Sequence, residues 1–357
     1  MNLRTRCHLA TLFVHTVAGV YLPTAANAGE TAFPDVHVTN VRRVFHNGEH
    51  NAFTDLIRFR ERFYLAFRSC PDGHSVYPTS TIIILESVDA RTWRPVHHFR
   101  VAKRDTRDPH FLVFKDKLFV YTGTWYCGDS APEVREFNKH LGYAVWSADG
   151  RGWSEPVMLE GTYGHYIWRA AAHDGTAYLC GRRKREFVET PGKIRSDVES
   201  AMLASDDGLI WRTRALFQTT QGNETAFLFE PDGSVLAVAR FTLDNSQLCR
   251  ARPPYTQWER TDLDRFIGGP LLARWGERLL VGGRKITAPA PRTTLYWLTD
   301  GKLQQCAELP SGGDNSYPGF VALGPKRGLL SWYSSHEKDD VGNTMTAIYL
   351  ADLEIAE

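Results

Sequence analysis

The sequence predicts an all-β chain folded as a six-bladed β-propeller. An apolar strand, a polar turn with Gly, Asp, Glu or Lys, and a second apolar strand recur six times, at residues 56–67, 112–123, 170–181, 227–240, 271–283 and 321–333. Each copy has the pattern of a β-hairpin, and successive copies lie 44 to 59 residues apart. A repeat of about fifty residues, with about four strands per unit, is typical of propeller blades. We expect the strand at 36–45 to close the ring by pairing with the last blade at 344–353.

The composition agrees with a folded, turn-rich chain of short strands. Of the 357 residues, 43% are hydrophobic and 12% aromatic, while 29 are glycine and 18 proline. This supplies enough apolar material for a core, with frequent turns between the strands. The 42 Lys and Arg residues against 41 Asp and Glu residues leave no basic excess. Because binding to a nucleic-acid backbone requires such an excess, nucleic acid is not an expected partner.

The first 28 residues have the pattern of a cleaved signal peptide. Arg4 and Arg6 form a charged start, the apolar stretch 9–22 follows, and a small-residue cleavage motif ends at Ala28. We therefore expect cleavage after Ala28, a secreted or periplasmic protein, and residues 29–357 as a single propeller domain. No later stretch approaches the ~20 apolar residues of a membrane helix, so no membrane span is predicted.

Five cysteines remain after removal of that segment, at positions 70, 127, 180, 249 and 306. They are widely spaced and include no Cys-x-x-Cys pair, which argues against a zinc site. An odd number of cysteines leaves at least one free thiol, even in an oxidising compartment. Because the sequence also has no glycine-rich phosphate loop, we expect no metal and no cofactor.

A second motif marks the outer hairpins of three repeat units. It reads Ser-x-Asp-x-x-x-Trp at residues 87–93, 147–153 and 205–211, and Trp258 marks a degenerate fourth copy. In such a turn the Asp carboxylate accepts backbone amides, and the Trp fills the gap between neighbouring sheets. The motif resembles the Asp-box, or BNR repeat, of sialidases and their relatives, with one residue fewer between Asp and Trp than the commonest form. This resemblance implies the fold, and it does not by itself imply sialidase activity.

The starts of the innermost strands indicate a functional site. In a propeller these strands line the central channel, and the loops that lead into them form one concave face. Five of the six starts are polar or ionisable. In chain order the starts are His50, Asn51 and Asp55; Arg107, Asp108 and His110; Trp168 and Arg169; Asn223 and Glu224; Gly268 and Gly269; and Asn315, Ser316 and Tyr317.

The second half of the chain resembles retaining exo-sialidases more specifically. Residues 223–240 look like the sialidase segment in which a Glu precedes a strand–turn–strand ending in Arg, and they supply Glu224 and Arg240. Arg292 resembles an arginine that opens a later strand in that family. Tyr317 resembles the family's nucleophile, at the start of the inner strand of blade six. The order, blade and approximate spacing agree for all of these segments.

The resemblance implies a mechanism that suits these residue types. A sialoside carries a carboxylate on its anomeric carbon, which would repel a carboxylate nucleophile but not the neutral hydroxyl of Tyr317. Glu224 would accept the phenolic proton and so activate that hydroxyl. The guanidinium groups of Arg240 and Arg292 would hold the substrate carboxylate through paired hydrogen bonds.

The first half of the chain departs from the sialidase pattern. Sialidases begin blade one with a Tyr/Phe-Arg-Ile-Pro segment, whose Arg is a third group that binds the carboxylate. Ala52 stands at that position here. Three other arginines are candidates to supply the missing charge: Arg68, Arg107 and Arg169.

The acid/base residue stays open between two candidates. In sialidases an Asp follows the second strand of blade one, and Asp72 is the family-like candidate for it. His74 is equally placed, and its ordinary pKa suits proton transfer near neutrality. We expect His50, Asn51 and Asp55, which open the same blade, to line the substrate site.

The sequence therefore predicts a sialidase-like exo-glycosidase that acts on a terminal acidic sugar, either sialic acid or a related 2-keto sugar acid. A second enzyme hypothesis is a polysaccharide lyase acting on uronic-acid polymers. In that enzyme His50, His74 and Tyr166 would transfer protons while Arg169 neutralises the uronate. A third hypothesis is a non-catalytic propeller that only binds glycans, for which the ten Trp residues would provide stacking surfaces.

Overall fold

Six four-stranded antiparallel sheets account for the strands in the part of the chain that the structure describes. This computed structural model describes residues 33–188, 195–241 and 244–357, so the predicted signal segment lies outside the described residues. Each sheet is one blade, and consecutive blades are adjacent around a ring through their innermost strands. The predicted six-bladed β-propeller is therefore confirmed.

The strands follow the order expected from the hairpin repeat, inner strand first in each blade. Blade one comprises β2 His50–Phe59, β3 Arg62–Cys70, β4 Thr81–Ser87 and β5 Arg94–Phe99, and blade two comprises β6 Arg104–Phe114, β7 Lys117–Tyr126, β8 Leu141–Ser147 and β9 Val157–Met158. Blade three comprises β10 Tyr166–His173, β11 Thr176–Lys184, β12 Val198–Ser205 and β13 Arg212–Gln218, and blade four comprises β14 Thr225–Phe229, β15 Val235–Ala239, β16 Gln247–Ala251 and β17 Trp258–Asp262. Blade five comprises β18 Gly268–Trp275, β19 Arg278–Lys285, β20 Arg292–Thr299 and β21 Lys302–Glu308, and blade six comprises β22 Asn315–Ala322, β23 Arg327–Lys338, β24 Thr344–Ile355 and β1 Val36–Phe45. Short 3-10 turns lie at Phe137–Lys139, Arg185–Phe187 and Arg195–Asp197.

The first strand closes the ring. β1 pairs antiparallel with β24, from Val36 opposite Ile355 to Phe45 opposite Ile348, and so becomes the outer strand of blade six. The predicted pairing of 36–45 with 344–353 is confirmed. Closure satisfies the backbone groups of the last blade and ties the two ends of the described chain together.

The outer hairpins join neighbouring blades. In the first Ser-x-Asp turn, Asp89 Oδ1 accepts the backbone amides of Arg91 and Thr92, both at 2.9 Å. The other two turns form in the same way. Trp153 of blade two stacks on His97 of blade one, with ring centroids 5.6 Å apart. The turn and its tryptophan thus act together, one holding the hairpin and the other filling the space between sheets.

Large aromatic side chains form the core between blades. Trp275 and Trp297 of blade five are fully buried, with ring centroids 5.8 Å apart. Trp275 also packs on Phe320 of blade six, at 5.2 Å. Burying such side chains is the main favourable contribution to a sheet-on-sheet interface.

The six inner strands all start at one face of the propeller, which we call the front face. Most of them begin irregularly there. The pairing register shifts near the start of the inner strand in five of the six blades. Phe53, Asp108, Gly269 and Tyr317 lie in these shifts and have positive φ angles of 63°, 52°, 59° and 53°. Non-glycine residues rarely adopt such angles, and a bulge redirects a side chain away from the regular alternation. The front face is therefore built from displaced side chains.

The five cysteines of the described chain are all unpaired and buried, which confirms the prediction of at least one free thiol. Burial raises the pKa of the Cys249 thiol to about 12, and a thiol of this kind is unreactive. Among the described residues, no helix has the length and apolar character needed to cross a membrane.

Candidate active site

A tyrosine, a glutamate and an arginine from the second half of the chain meet at the front face. Tyr317 Oη donates a hydrogen bond of 2.6 Å to Glu224 Oε1. Arg240 Nη1 donates one of 2.7 Å to Glu224 Oε2. Tyr317 and Glu224 are buried, with 6% and 7% of their surface exposed. Tyr317, 93 residues from Glu224 in the sequence, and Arg240, 16 residues from it, thus bind the same carboxylate.

The backbone around Tyr317 explains its position. Ser316 and Tyr317 have φ angles of 102° and 53°, at a register shift between β22 and β23. Gly269, at the start of β18, lies directly beside the ring, and a Cβ atom there would come within 2.7 Å of Tyr317 Cδ2. This close approach accounts for the glycine start of blade five, the one start that carries no polar side chain.

Burial and charge set the protonation of this pair in complementary ways. Burial raises the pKa of Glu224, but the Arg240 guanidinium and the Tyr317 hydroxyl outweigh it and hold that pKa below its usual range. Burial, and then the Glu224 carboxylate, raise the pKa of Tyr317 well above its usual value. The result is a neutral phenol that donates to an ionised carboxylate, which is the arrangement of a nucleophile beside its general base.

Asp314 organises a second cluster at the edge of the site. Its Oδ2 lies 2.9 Å from His50 Nε2 and 2.5 Å from His74 Nδ1. Its Oδ1 accepts hydrogen bonds from Arg284 Nη2 at 3.0 Å and from Tyr333 Oη at 2.9 Å. Burial raises the pKa of Asp314, but the two histidines and Arg284 outweigh it and keep the carboxyl ionised. The predicted rim residues His50 and His74 are thus brought together around a carboxylate.

Three residues of this region were missed by sequence reasoning: Arg284, Asp314 and Tyr333. Arg284 lies one residue before the end of β19, and its guanidinium carbon lies 5.9 Å from the centre of the Tyr317 ring. Asp314 directly precedes the start of blade six, and that position was the only signal available for it.

One group of described residues could hold a metal ion. His50, His74 and Asp314 offer one ligand atom each, and these atoms all lie within 4.8 Å of one another. Two imidazoles and a carboxylate are a ligand set used by zinc and by iron. The residues come from three distant parts of the chain, so their spacing in the sequence gives no metal signature.

A second tyrosine–carboxylate pair lies at the start of blade two. Tyr166 Oη donates a hydrogen bond to Asp108 Oδ2, while Asp108 Oδ1 is buried and has no hydrogen-bond partner. Burial raises the pKa of Asp108 to about 6, although the neighbouring Arg107 guanidinium opposes the rise. The Glu224 carboxylate adds to the rise, so the two carboxylates of the site influence each other.

Blade one contributes an aromatic ring where the sialidase pattern has an arginine. Ala52 is fully buried, and the neighbouring Phe53 packs edge-on against Tyr317, with ring centroids 4.9 Å apart. The Arg107 guanidinium lies over the Phe53 ring, 4.8 Å from its centre. Arg107 is also 3.3 Å from Asp105 and donates to the backbone carbonyl of His74 at 2.8 Å. Among the three candidates for the missing charge, Arg107 therefore lies nearest to the ring that borders Tyr317.

The other two candidates are bound inside the protein. Arg68 is fully buried, pairs with Asp105 at 2.9 Å and donates to carbonyl groups of the following loop. Arg169 pairs with Asp55 at 3.0 Å and donates to the carbonyl oxygens of Pro270 and Pro318. Arg169 therefore links blades one, three, five and six across the channel.

The remaining predicted residues are held by local or structural contacts. Asn51 is buried, and its amide donates to Asn47, to the Glu49 carbonyl and to the Thr346 carbonyl. Asp55, besides binding Arg169, accepts the Phe111 amide at 2.8 Å and lies 3.5 Å from His110.

Asp72 and Arg292 are also held by contacts outside the Tyr317 pair. Asp72 is exposed at the tip of its loop, where its carboxylate accepts the Thr79 hydroxyl at 2.5 Å. Arg292 begins β20, one strand further out than Arg284; it donates to the Ser311 carbonyl and lies 3.8 Å from Glu308. The sequence indicates only that Arg292 stands at the start of a strand. It does not indicate how far that strand lies from the centre of its blade.

Comparison with known proteins identifies solved structures with a similar fold. No family model and no curated protein matches the chain. A solved structure of a protein of unknown function from Dyadobacter fermentans is similar, with 21% identity and a TM-score of 0.75, over 90% of this chain and 100% of that one. Trypanosoma rangeli sialidase, solved with sialic acid, matches at 12% identity and a TM-score of 0.62, over 89% of this chain.

The match covers 59% of that sialidase, so the chain spans little more than half its length. The endosialidase of phage phi92 matches at 11% identity and a TM-score of 0.63, over 89% of this chain and 69% of that one. At these identities the likeness is one of fold. The chain has a divergent, sialidase-like six-bladed β-propeller fold.

Proposed function

We propose that this protein is a retaining exo-glycoside hydrolase that acts on a terminal acidic sugar, either sialic acid or a related 2-keto sugar acid. One observation carries the proposal: the Tyr317 hydroxyl is 2.6 Å from Glu224, which is itself held by Arg240 at 2.7 Å. A buried neutral phenol beside an ionised carboxylate is poised to lose its proton as it attacks. The sialidase-like fold supports the same chemistry.

Tyr317 and Glu224 would perform the covalent step. Tyr317 Oη forms a bond to the anomeric carbon while the glycosidic bond breaks, the phenolic proton moves to Glu224, and an acid/base residue gives a proton to the leaving oxygen. In the second step water attacks the same carbon and gives a proton back to the acid/base residue, the bond to Tyr317 breaks, and the phenolate recovers its proton from Glu224. Two displacements at one carbon retain its configuration.

Arg240 and Arg284 would bind the substrate carboxylate. Arg240 Nε is buried without a hydrogen-bond partner, so an acceptor is available to it only in a ligand or in water. Arg284 lies over the Tyr317 ring, at 5.9 Å from its centre, whereas Arg292 contacts Ser311 and Glu308. Its position beside the Tyr317 ring favours Arg284 over Arg292 for this role, with Arg284 also donating to Asp314 and to the Asn315 carbonyl. Arg107 is a further cation beside the site.

The predicted proton donors differ in how well they fit. Asp72 is exposed, and its carboxylate is bound to Thr79 rather than to the Tyr317 pair. His74 packs edge-on against Phe53 at 5.5 Å and is held at Nδ1 by Asp314, so it is the better placed of the two. Its side chain is 53% exposed.

The lyase hypothesis receives less support. It needs Arg169 free to neutralise a uronate, but this guanidinium is bound to Asp55 and to two backbone carbonyls. His74 and His50 face Asp314, whereas Tyr166 faces Asp108. The residues assigned to the lyase thus belong to separate clusters.

The test is turnover of a methylumbelliferyl α-sialoside, read by fluorescence and by mass spectrometry of the released sugar. We expect free sialic acid from the wild type and a loss of at least ~10³-fold in kcat for Tyr317→Phe, because the nucleophile is gone. Tyr64→Phe is the matched control: Tyr64 is a buried tyrosine of blade one whose hydroxyl has no hydrogen-bond partner.

Retained activity in Tyr317→Phe would overturn the proposed nucleophile. An unsaturated uronate product from a polyuronate substrate would favour the lyase instead, and binding without any product would favour a non-catalytic propeller. We propose export on the pattern of residues 1–28, which is tested by N-terminal sequencing of protein recovered outside the cytoplasm.

A further inference from the structure

We infer that Asp108, held by Tyr166, is the acid/base residue that transfers the proton to and from the leaving-group oxygen. The sequence pattern indicates Asp108 only as a polar residue at the start of an inner strand. The inference rests on the proposed function, because it concerns the same front-face site. It replaces both sequence candidates, Asp72 and His74.

The position of Asp108 is the first argument. The residue is 4% exposed and lies in the register shift between β6 and β7 with a φ of 52°. An aspartate held in a left-handed conformation at a buried strand start costs conformational energy, which is a feature of functional sites. Its carboxyl thereby lies within electrostatic reach of Glu224 and Tyr317.

The hydrogen bonds of Asp108 are the second argument. Oδ2 accepts the Tyr166 hydroxyl, which fixes the carboxyl group. Oδ1 is buried and accepts nothing. A buried carboxylate oxygen without a partner is costly unless a ligand or a proton occupies it. The free oxygen is thus the atom from which a proton would be delivered.

The charges around Asp108 are the third argument. Arg107 and Asp105 face it from its own strand β6, and Tyr166 and Arg169 face it from β10. Glu224 faces it from the loop before β14, and Tyr317 faces it from β22. Burial is the largest influence and raises the pKa of Asp108 to about 6, with Glu224 adding to the rise. A carboxyl group tuned to that range can both give and take a proton near neutral pH.

The proton balance of the reaction is then complete. In the first step Asp108 gives its proton to the glycosidic oxygen as the bond to the anomeric carbon breaks, while Tyr317 forms its bond and passes its own proton to Glu224. In the second step the Asp108 carboxylate takes a proton from the attacking water. The bond to Tyr317 then breaks, and Glu224 returns the phenolic proton. Every group ends in its starting state.

The first test compares Asp108→Asn, His74→Gln and Asp72→Asn on two substrates. An aryl α-sialoside leaves without a proton, whereas sialyllactose needs one. We expect Asp108→Asn to lower kcat/KM on sialyllactose at least ~100-fold more than on the aryl sialoside. Added azide should accelerate this variant on the aryl substrate, because azide attacks the covalent intermediate without needing a base.

The second test uses the pH dependence of kcat/KM. On sialyllactose the wild type needs Asp108 protonated, so kcat/KM for this substrate should fall as pH rises through about 6. Asp108→Asn should lack this limb. The Tyr166 hydroxyl lowers the pKa of Asp108, so Tyr166→Phe should move the limb to higher pH. Tyr64→Phe should leave the limb where it is.

A leaving-group effect that follows His74→Gln or Asp72→Asn, with none for Asp108→Asn, would overturn the inference while leaving the proposed hydrolase intact. An unchanged pH profile in Asp108→Asn would do the same. If the wild type releases no sugar from either sialoside or from the corresponding glycosides of other 2-keto sugar acids, the proposed function fails, and the inference falls with it.

Discussion

Two tyrosine–carboxylate pairs at the front face influence each other's charges, and they differ in how their carboxyl oxygens are bound. Glu224 has both oxygens engaged, by Tyr317 and by Arg240. Asp108 has one oxygen engaged, by Tyr166, and one free. Both carboxyls are buried, yet the pKa of Glu224 is held below its usual range while that of Asp108 is raised to about 6.

The difference shows that burial alone does not decide the role of a carboxyl group. Burial is the largest influence on both groups and opposes ionisation in both. A directly bonded guanidinium reverses that effect for Glu224. Arg107, which is bound instead to Asp105 and to a backbone carbonyl, does not reverse it for Asp108. One pair is therefore suited to accept a proton from a nucleophile, and the other to hold a proton in reserve.

The largest effect is expected from Glu224→Gln. The amide cannot accept the Tyr317 proton, and Arg240 loses its buried counter-charge. We expect kcat to fall at least ~10³-fold and the free energy of unfolding to fall by about 3 kcal/mol. Turnover of the aryl sialoside and urea unfolding measure the two quantities.

Glu230→Gln is the matched control for that variant. Glu230 pairs with Arg274 on the surface, and exposed ion pairs contribute at most about 1 kcal/mol. Equal losses of stability in both variants would contradict the view that the Glu224–Arg240 pair is a buried, mutually dependent unit.

The next effect separates the two arginines of blade five. Arg284→Leu should lower kcat/KM by about 10²-fold, because its guanidinium lies beside the Tyr317 ring and bidentate carboxylate binding contributes about 3 kcal/mol. Arg292→Leu should change kcat/KM by no more than about threefold, since its contacts are with Ser311 and Glu308. The reverse order would restore Arg292 to the carboxylate site and weaken the geometric assignment of Arg284.

The fold was predictable from the sequence because its signals are local. Each hairpin places its apolar strands and polar turn within about fourteen residues, and the Ser-x-Asp turns specify the outer loops. The ring closure by β1 followed from counting strands, since the last blade otherwise lacks a member. Such patterns do not depend on contacts between distant parts of the chain.

The candidate site was predictable only for residues whose type and position at the start of a strand were informative by themselves. Glu224 and Tyr317 open inner strands, and the structure brings them into contact. Arg284 lies next to the end of a strand, and Asp314 lies in a loop. Both reach the site through bulges and side-chain length that the sequence pattern does not encode. Phe53, the residue after Ala52, is the one whose ring lies beside Tyr317. Its positive φ of 63° belongs to the irregular start of that strand.

Asp108 and Glu224 should also differ in the sign of the change in the free energy of unfolding when each is replaced by its amide. The pKa of Asp108 is about 6 in the folded protein, against an ordinary value of 3.8. The folded state therefore binds the proton more tightly than the unfolded state. The stability from this proton is fully present below about pH 4 and is lost as pH rises through about 6. An asparagine cannot ionise, so the Asp108→Asn variant does not lose this stability as the pH rises.

We therefore expect Asp108→Asn to be more stable than the wild type at pH 8, by up to about 3 kcal/mol, even though it is less active. The gain should shrink as the pH is lowered to 4, where Asp108 is protonated in the wild type too. Urea unfolding at several pH values measures the gap. A gap that does not change with pH would mean that Asp108 is already ionised in the folded protein. The free oxygen would then be occupied by solvent rather than by a proton, and the two carboxyls would no longer be opposites.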